Sequence, residues 1–187
     1  METKQAEQLR LFYALWPDDA VRSAVMKVQA PMRGRLIPYA NLHVTLAFLG
    51  SQPADLLPAL ESILMHLPKA DISLSLDRVG YFTRKRIAWI GTHQMPETLA
   101  VLHKRLSEAL AQQGISFDNQ LSFKPHITLA RDAPPPPDTP FTPIPWRANQ
   151  VALVQSKTGP DGAAYQVLAM RSLDEDVWLP DASGIGN

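Results

Sequence analysis

Two short strings hold the residues best suited to chemistry: His43-Val44-Thr45-Leu46-Ala47-Phe48 and His126-Ile127-Thr128-Leu129-Ala130-Arg131. They share His, Thr, Leu and Ala at matching places, with a β-branched residue between His and Thr. A His-x-Thr-Leu string is expected roughly 0.03 times by chance in a chain of this composition, so the pair reads as an internal repeat. On a strand, side chains two apart point the same way. His43 and Thr45 therefore share one face while Val44, Leu46 and Phe48 take the other, and His126 and Thr128 repeat the arrangement.

A phosphodiester displaced in line has its entering and leaving oxygens on opposite sides of phosphorus, so it needs a base on one side and an acid on the other. Two histidines on opposite walls of one cleft meet that demand. With an ordinary pKa near ~6.5, one can be neutral and the other protonated, each supplying ~10²- to 10⁴-fold in rate. The threonine hydroxyls can donate to non-bridging phosphate oxygens. A lone strand histidine is more often a satisfied structural group; a matched pair on duplicated strands reverses that preference.

Other chemistries lack their residues. The chain has no cysteine, which excludes disulfides, thiolate metal sites and a thiolate nucleophile. There is no His-Glu-x-x-His string, and no carboxylate adjoins either motif to orient a zinc-bound imidazole, so no metal is expected. Gly159-Pro160-Asp161-Gly162 lacks the Lys-Ser/Thr of a phosphate loop, and no Gly-x-Ser-x-Gly elbow is present; no cofactor is expected. His66, His93 and His103 lie outside the motif and read as structural.

The two motifs, with Asn41 to Gly50, Pro125 to Arg131 and the opening Arg10-Leu11-Phe12-Tyr13-Ala14-Leu15, resemble the 2H phosphoesterases. Within them the chain looks like the bacterial RNA 2',3'-cyclic phosphodiesterase, or 2'-5' RNA ligase, family over about residues 9 to 173. That resemblance implies an α+β fold of duplicated strand-helix-strand lobes, with two antiparallel sheets facing a central groove and helices outside. It implies metal-independent opening of an RNA-terminal 2',3'-cyclic phosphate to a 2'-phosphomonoester, with weak ATP-independent ligation as a companion activity. By the family's assignment His126 activates water and His43 protonates the leaving 3'-oxygen; the residues alone do not distinguish the roles. Thr45, Thr128 and Arg131 would hold phosphate. Strict alternation turns Arg131 away from His126, so its use requires a strand end or a bulge.

The elements that must position these residues follow from patterning. Strands are expected over 9–16, 42–49, 72–79, 86–92, 126–131, 151–156 and 165–173, with 72–79 and 86–92 forming a hairpin. Helices are expected after Pro17-Asp18-Asp19 to about Gln29, over 54–67, and over 97–113 with Gly114 as C-cap. Residues 134–145 hold seven prolines and read as an extended strap. The chain is expected to form one bilobal domain across 1–187, with a core over about 9–173 and a loose tail over 174–187.

Phe12, Tyr13, Phe48, Tyr81 and Phe82 are candidates for stacking a terminal base, with Phe48 the preferred substrate contact. Among Arg33, Arg35, Arg84, Lys85, Arg86, Lys124 and Lys157, the tip over 83–86 is the best basic patch for phosphates of a longer RNA. Eighteen Lys+Arg balance eighteen Asp+Glu, which argues against a protein that coats long nucleic acid through a broad basic face. The polar N-terminus and the lack of a long apolar stretch predict a cytoplasmic, membrane-free protein; a monomer without an obligate protein partner is expected. Its expected partner is RNA with a 2',3'-cyclic phosphate end, tRNA fragments included. Two rivals keep the same residues: a non-catalytic RNA-end or nucleotide-binding module, and a phosphodiesterase of small cyclic nucleotides.

Overall fold

The computed structural model describes residues 7–118, 122–160 and 162–175. Its first strand, β1 (Gln8–Leu15), is buried without interruption from Leu11 to Leu15, as befits a central strand covered on both faces. Asp18 stops the extended chain: its side chain accepts a 2.8 Å hydrogen bond from the Val21 amide and caps α1 (Asp19–Gln29). A two-residue β2 (Arg35–Leu36) and a 3-10 turn at Tyr39–Asn41 lead into β3 (Val44–Pro53).

The helix expected over 54–67 is shorter. A 3-10 turn at Ala54–Leu56 precedes α2 (Leu57–Met65), because Pro58 suits only a first helical turn. After β4 (Ser73–Leu76), β5 (Arg78–Phe82) and β6 (Ile87–Gly91) comes α3 (Glu97–Gln112), which buries Leu99, Leu102, Leu106 and Leu110 along one stripe. Burial on that scale contributes about 1.5–3 kcal/mol per leucine. Gly114 adopts φ 66° and lets the Ile115 amide reach back to the Leu110 carbonyl, 3.0 Å, closing the helix as expected. The chain finishes with β7 (His126–Arg131), β8 (Ile144–Arg147), β9 (Gln150–Gly159) and β10 (Gly162–Ser172).

The fold is α+β, and all its strand pairs are antiparallel. The strand order β10-β9-β1-β3-β7-β6-β5, with β2 on β7, contains the two sheets expected, β10-β9-β1-β3 and β7-β6-β5. They join at one residue pair, Val44 opposite Ile127, and so count as one eight-stranded sheet. The helices lean on β3, β8, β9 and β10, and one apolar core runs beneath both halves. A second, small cluster of Phe12, Ala14, Ala152 and Val154 takes in Trp16, Phe48 and Tyr165.

The alternation over 72–79 is not one strand. It breaks at Asp77: β4 pairs with β8, while β5 pairs with β6. The amide of Asp77 donates to the Gly91 carbonyl, and its carboxylate accepts from the His93 amide. The proline-rich segment supplies β8, with Ile144 and Trp146 buried and Pro145 opposite Ser75. A two-stranded sheet tolerates a proline because an outward-facing amide there needs no partner. Residues 134–143 carry neither helix nor strand. The predicted tail lies outside the described residues beyond Glu175. Among the described residues no helix is long and apolar enough to cross a membrane.

Candidate active site

Both histidines are anchored in the same way. His43 Nδ1 lies 2.6 Å from the Asn41 carbonyl and His126 Nδ1 lies 2.7 Å from the Lys124 carbonyl, in each case two residues upstream. A carbonyl only accepts, so each Nδ1 carries the hydrogen and each Nε2 is left for chemistry. Neutral His43 Nε2 accepts from the Thr45 hydroxyl at 3.0 Å. Asn41 is itself tied across the fold, its side-chain amide donating to the Ala163 carbonyl at 2.8 Å.

The Val44–Ile127 pair brings the motifs together. Both residues are buried on the core side, so His43 and Thr45, to either side of Val44, and His126 and Thr128, to either side of Ile127, flank this junction on the opposite face.

Each motif strand also carries a bulge, and this corrects the alternation read from sequence. In β3 the register skips between Ala47 and Thr45 opposite β1, and Leu46 and Ala47 are both buried. In β7 it skips between Ala130 and Thr128 opposite β6, and Leu129 and Ala130 are both buried. The extra residue restores the phase, so Phe48 and Arg131 line the same cavity as Thr45, His126 and Thr128. A helix side chain reaches the second bulge, where Gln29 donates to the Leu129 carbonyl at 2.8 Å, and at the first His103 of α3 lines the cavity together with Leu46.

The cavity holds about 740 Å³. Tyr81, Phe82, Arg84, Lys85 and Lys124, all candidates from the sequence, belong to its lining; so do His103, which the sequence reads as structural, and Phe123, whose rings stack at 4.0 Å. Tyr13 is not a platform: it is buried in the core and its hydroxyl donates to the Leu60 carbonyl at 2.7 Å. Arg35 reaches Asp132 at 3.4 Å instead of the cavity, and Arg33, Arg86 and Lys157 do not line it. His66 Nδ1 donates to the Ser62 carbonyl and His93 pairs with Asp77.

Aromatic rings enclose both imidazoles. His43 packs against Phe12 at 4.8 Å, Trp16 at 6.1 Å and Tyr165 at 5.3 Å; His126 packs against Phe82 at 5.1 Å and Trp89 at 5.9 Å. His43 is pushed down to about 4, first by burial and then by the positive charges of Arg22, His126 and Arg131, against the upward pull of the Asn41 carbonyl. Burial likewise lowers His126, the Lys124 carbonyl opposes, and Arg131 and Lys85 add to the lowering. Among the described residues, the charged groups that depress the two imidazoles are the cations Arg22, Lys85, Arg131 and His126, which favours an anion at the site. Among the described residues no three His, Asp or Glu side chains gather as a metal-binding group.

Comparison with known proteins agrees with this geometry. The family model of the 2'-5' RNA ligase superfamily matches residues 17–160. The chain is 36% identical to an RNA 2',3'-cyclic phosphodiesterase of Escherichia coli (strain K12) over 70% of this chain and 80% of that one. It is 33% identical to a Thermus thermophilus protein of the same name over 95% and 97% of the two chains. Among solved structures, TT0787 of Thermus thermophilus superposes with TM-score 0.78 at 31% identity, covering 89% of this chain and 98% of that one. Escherichia coli LigT complexed with 3'-AMP gives 0.76 at 31%, covering 90% and 100%. With paired His-x-Thr strands on a shared fold and a family match over most of its length, the chain belongs to the 2'-5' RNA ligase superfamily of 2H phosphoesterases.

Proposed function

We propose that this phosphoesterase opens the 2',3'-cyclic phosphate at an RNA end to a 2'-phosphomonoester, acting as a monomer in the cytoplasm and without a metal ion. The observation that carries the reading is the matched anchoring of two imidazoles, each with Nδ1 held by a backbone carbonyl and Nε2 left for proton transfer. The cations Arg22, Lys85 and Arg131 act on them among the described residues. The names of the curated relatives support an RNA end as substrate.

His126 lines the open cavity and takes a proton from water as the water oxygen bonds to phosphorus. The bond from phosphorus to the 3'-oxygen breaks, and His43, enclosed by Phe12, Trp16 and Tyr165, delivers its Nε2 proton to that oxygen. Before substrate binds, His43 is unprotonated near neutrality. The substrate's negative charge offsets the cations that depress it, so the proton and the substrate arrive together. Thr45, Thr128 and Arg131 hold the non-bridging oxygens, where charge persists through the transition state, and Phe48 contacts the terminal nucleoside.

An oligonucleotide ending in a 2',3'-cyclic phosphate, incubated with the protein and a strong chelator, should gain one water and yield a 2'-phosphate. His43→Ala and His126→Ala should each lose at least ~10²-fold in turnover while keeping their folded circular-dichroism spectra. Tight binding of the oligonucleotide without mass gain would leave a binding module instead.

A further inference from the structure

The turn between β5 and β6 is built more rigidly than a basic surface loop needs to be. Arg86 takes φ 52° and Asp132 takes φ 50°, a left-handed conformation that costs a residue with a Cβ energy and persists only where its surroundings impose it. Here the surroundings are two hydrogen bonds to one residue. The Ala133 amide donates to the Arg86 carbonyl at 3.0 Å, and the Tyr81 hydroxyl donates to the Ala133 carbonyl at 2.7 Å. The 3-10 turn at Thr83–Lys85 is thereby pinned to the chain leaving the second motif, and Arg84 and Lys85 are presented as cavity wall.

Among the described residues neither Arg84 nor Lys85 makes an ion pair or a side-chain hydrogen bond, and the same holds for Lys124 and Arg131 on the same cavity. A terminal cyclic phosphate carries a single negative charge, which Arg131 beside the histidines is placed to meet. Among the described residues of the cavity lining, one carboxylate, Asp118, is outnumbered by the four cations Arg84, Lys85, Lys124 and Arg131.

We infer that Arg84 and Lys85 form a subsite for the internucleotide phosphate one step upstream of the reacting end, making the enzyme selective for RNA ends over 2',3'-cyclic mononucleotides. This rests on the reading of the two histidines given above. It assigns to the fixed turn a second phosphodiester of the same strand, held by charge-assisted hydrogen bonds while the cyclic ester lies between the imidazoles.

The test compares kcat/KM for a 2',3'-cyclic mononucleotide, a dinucleotide ending in the same group, and that dinucleotide with a neutral methylphosphonate linkage, all at one ionic strength because exposed charges are screened. The natural protein should prefer the charged dinucleotide to the mononucleotide by about tenfold or more. That preference should collapse to within about threefold with the neutral linkage, and equally in the double variant Arg84→Gln, Lys85→Gln, without further loss when the two changes are combined. A preference that survives in the double variant, or one indifferent to linkage charge, overturns the proposal. If the natural protein hydrolyses none of the three, the catalytic reading fails by itself, and equilibrium binding of the two dinucleotides still decides the subsite: equal affinity for charged and neutral linkages overturns it.

Discussion

The guanidinium carbon of Arg22 lies 4.9 Å from the ring centre of Trp16, and Trp16 in turn stacks on His43 with only 22° between the planes. Arg22 is 4% exposed and donates to the carbonyls of Pro17 and Tyr39 at 3.1 and 2.6 Å. It thus fixes both the wall behind His43 and the turn that supplies the Asn41 carbonyl. Its charge lowers His43, so Arg22→Met should raise the His43 pKa toward the ordinary histidine value. Arg22→Lys keeps the charge and should leave it near its original position. Proton NMR titration of the imidazoles reads this directly, and an unmoved His43 in Arg22→Met would count against any electrostatic role.

Arg131 acts on both imidazoles, lowering each. In Arg131→Met both titrations should therefore move to higher pH, whereas the Arg22 change moves His43 alone. Turnover should fall about 10²-fold, the cost typical of losing one preorganised donor to transition-state charge. Arg131→Lys should restore the titrations more fully than the rate, because an ammonium cannot reproduce the two-pronged contact of a guanidinium.

His43 also makes stability depend on pH. Folded, it takes up its proton only near pH 4; unfolded, it does so near 6.5. Between those values the unfolded chain binds more protons, so stability falls as pH drops through that window and recovers as pH rises above it. One such group contributes on the order of 3 kcal/mol. His126 and His103 are shifted in the same direction and steepen the loss. Urea unfolding at pH 7, 6, 5 and 4 should show the decline, and His43→Gln should flatten it.

The four motif residues His43, Thr45, His126 and Thr128 were legible because duplication writes the same local pattern twice. What alternation could not disclose was the facing of Phe48 and Arg131, since a bulge leaves no local mark. The side chains that meet the two bulges, His103 and Gln29, come from helices remote in sequence. The break at Asp77 is hidden for a similar reason. Ile72, Leu74, Leu76 and Val79 keep almost the same rhythm across it, and only tertiary pairing with β8 and β6 reveals two strands. Trp16 and Trp89 read as ordinary apolar positions; their contact with the imidazoles is a product of sheet geometry.

Gly80 offers the sharpest test of how His126 is held. A Cβ at this position would sit 2.1 Å from Trp89 Cζ2, far inside van der Waals contact, and one at Gly91 would sit 3.1 Å from Cζ3 of the same ring, so both glycines make room for the indole. The ring packs at 5.9 Å from His126 and 5.3 Å from Phe82, so displacing it moves the imidazole. Gly80→Ala should destabilise the protein by about 1–3 kcal/mol through overpacking and lower turnover well beyond what its residual folded fraction explains. Trp89→Phe removes the crowded half of the indole and also the Nε1 donor, which is buried and has no hydrogen-bond partner among the described residues; that deletion relieves an unmet polar group while leaving a small void. In the Trp89→Phe background the added methyl should then cost little, giving a coupling of at least about 1 kcal/mol between the two changes. Chemical denaturation of the four proteins, with turnover measured in parallel, checks it: additive losses would mean that Gly80 makes no room for Trp89 and that His126 is positioned by other contacts.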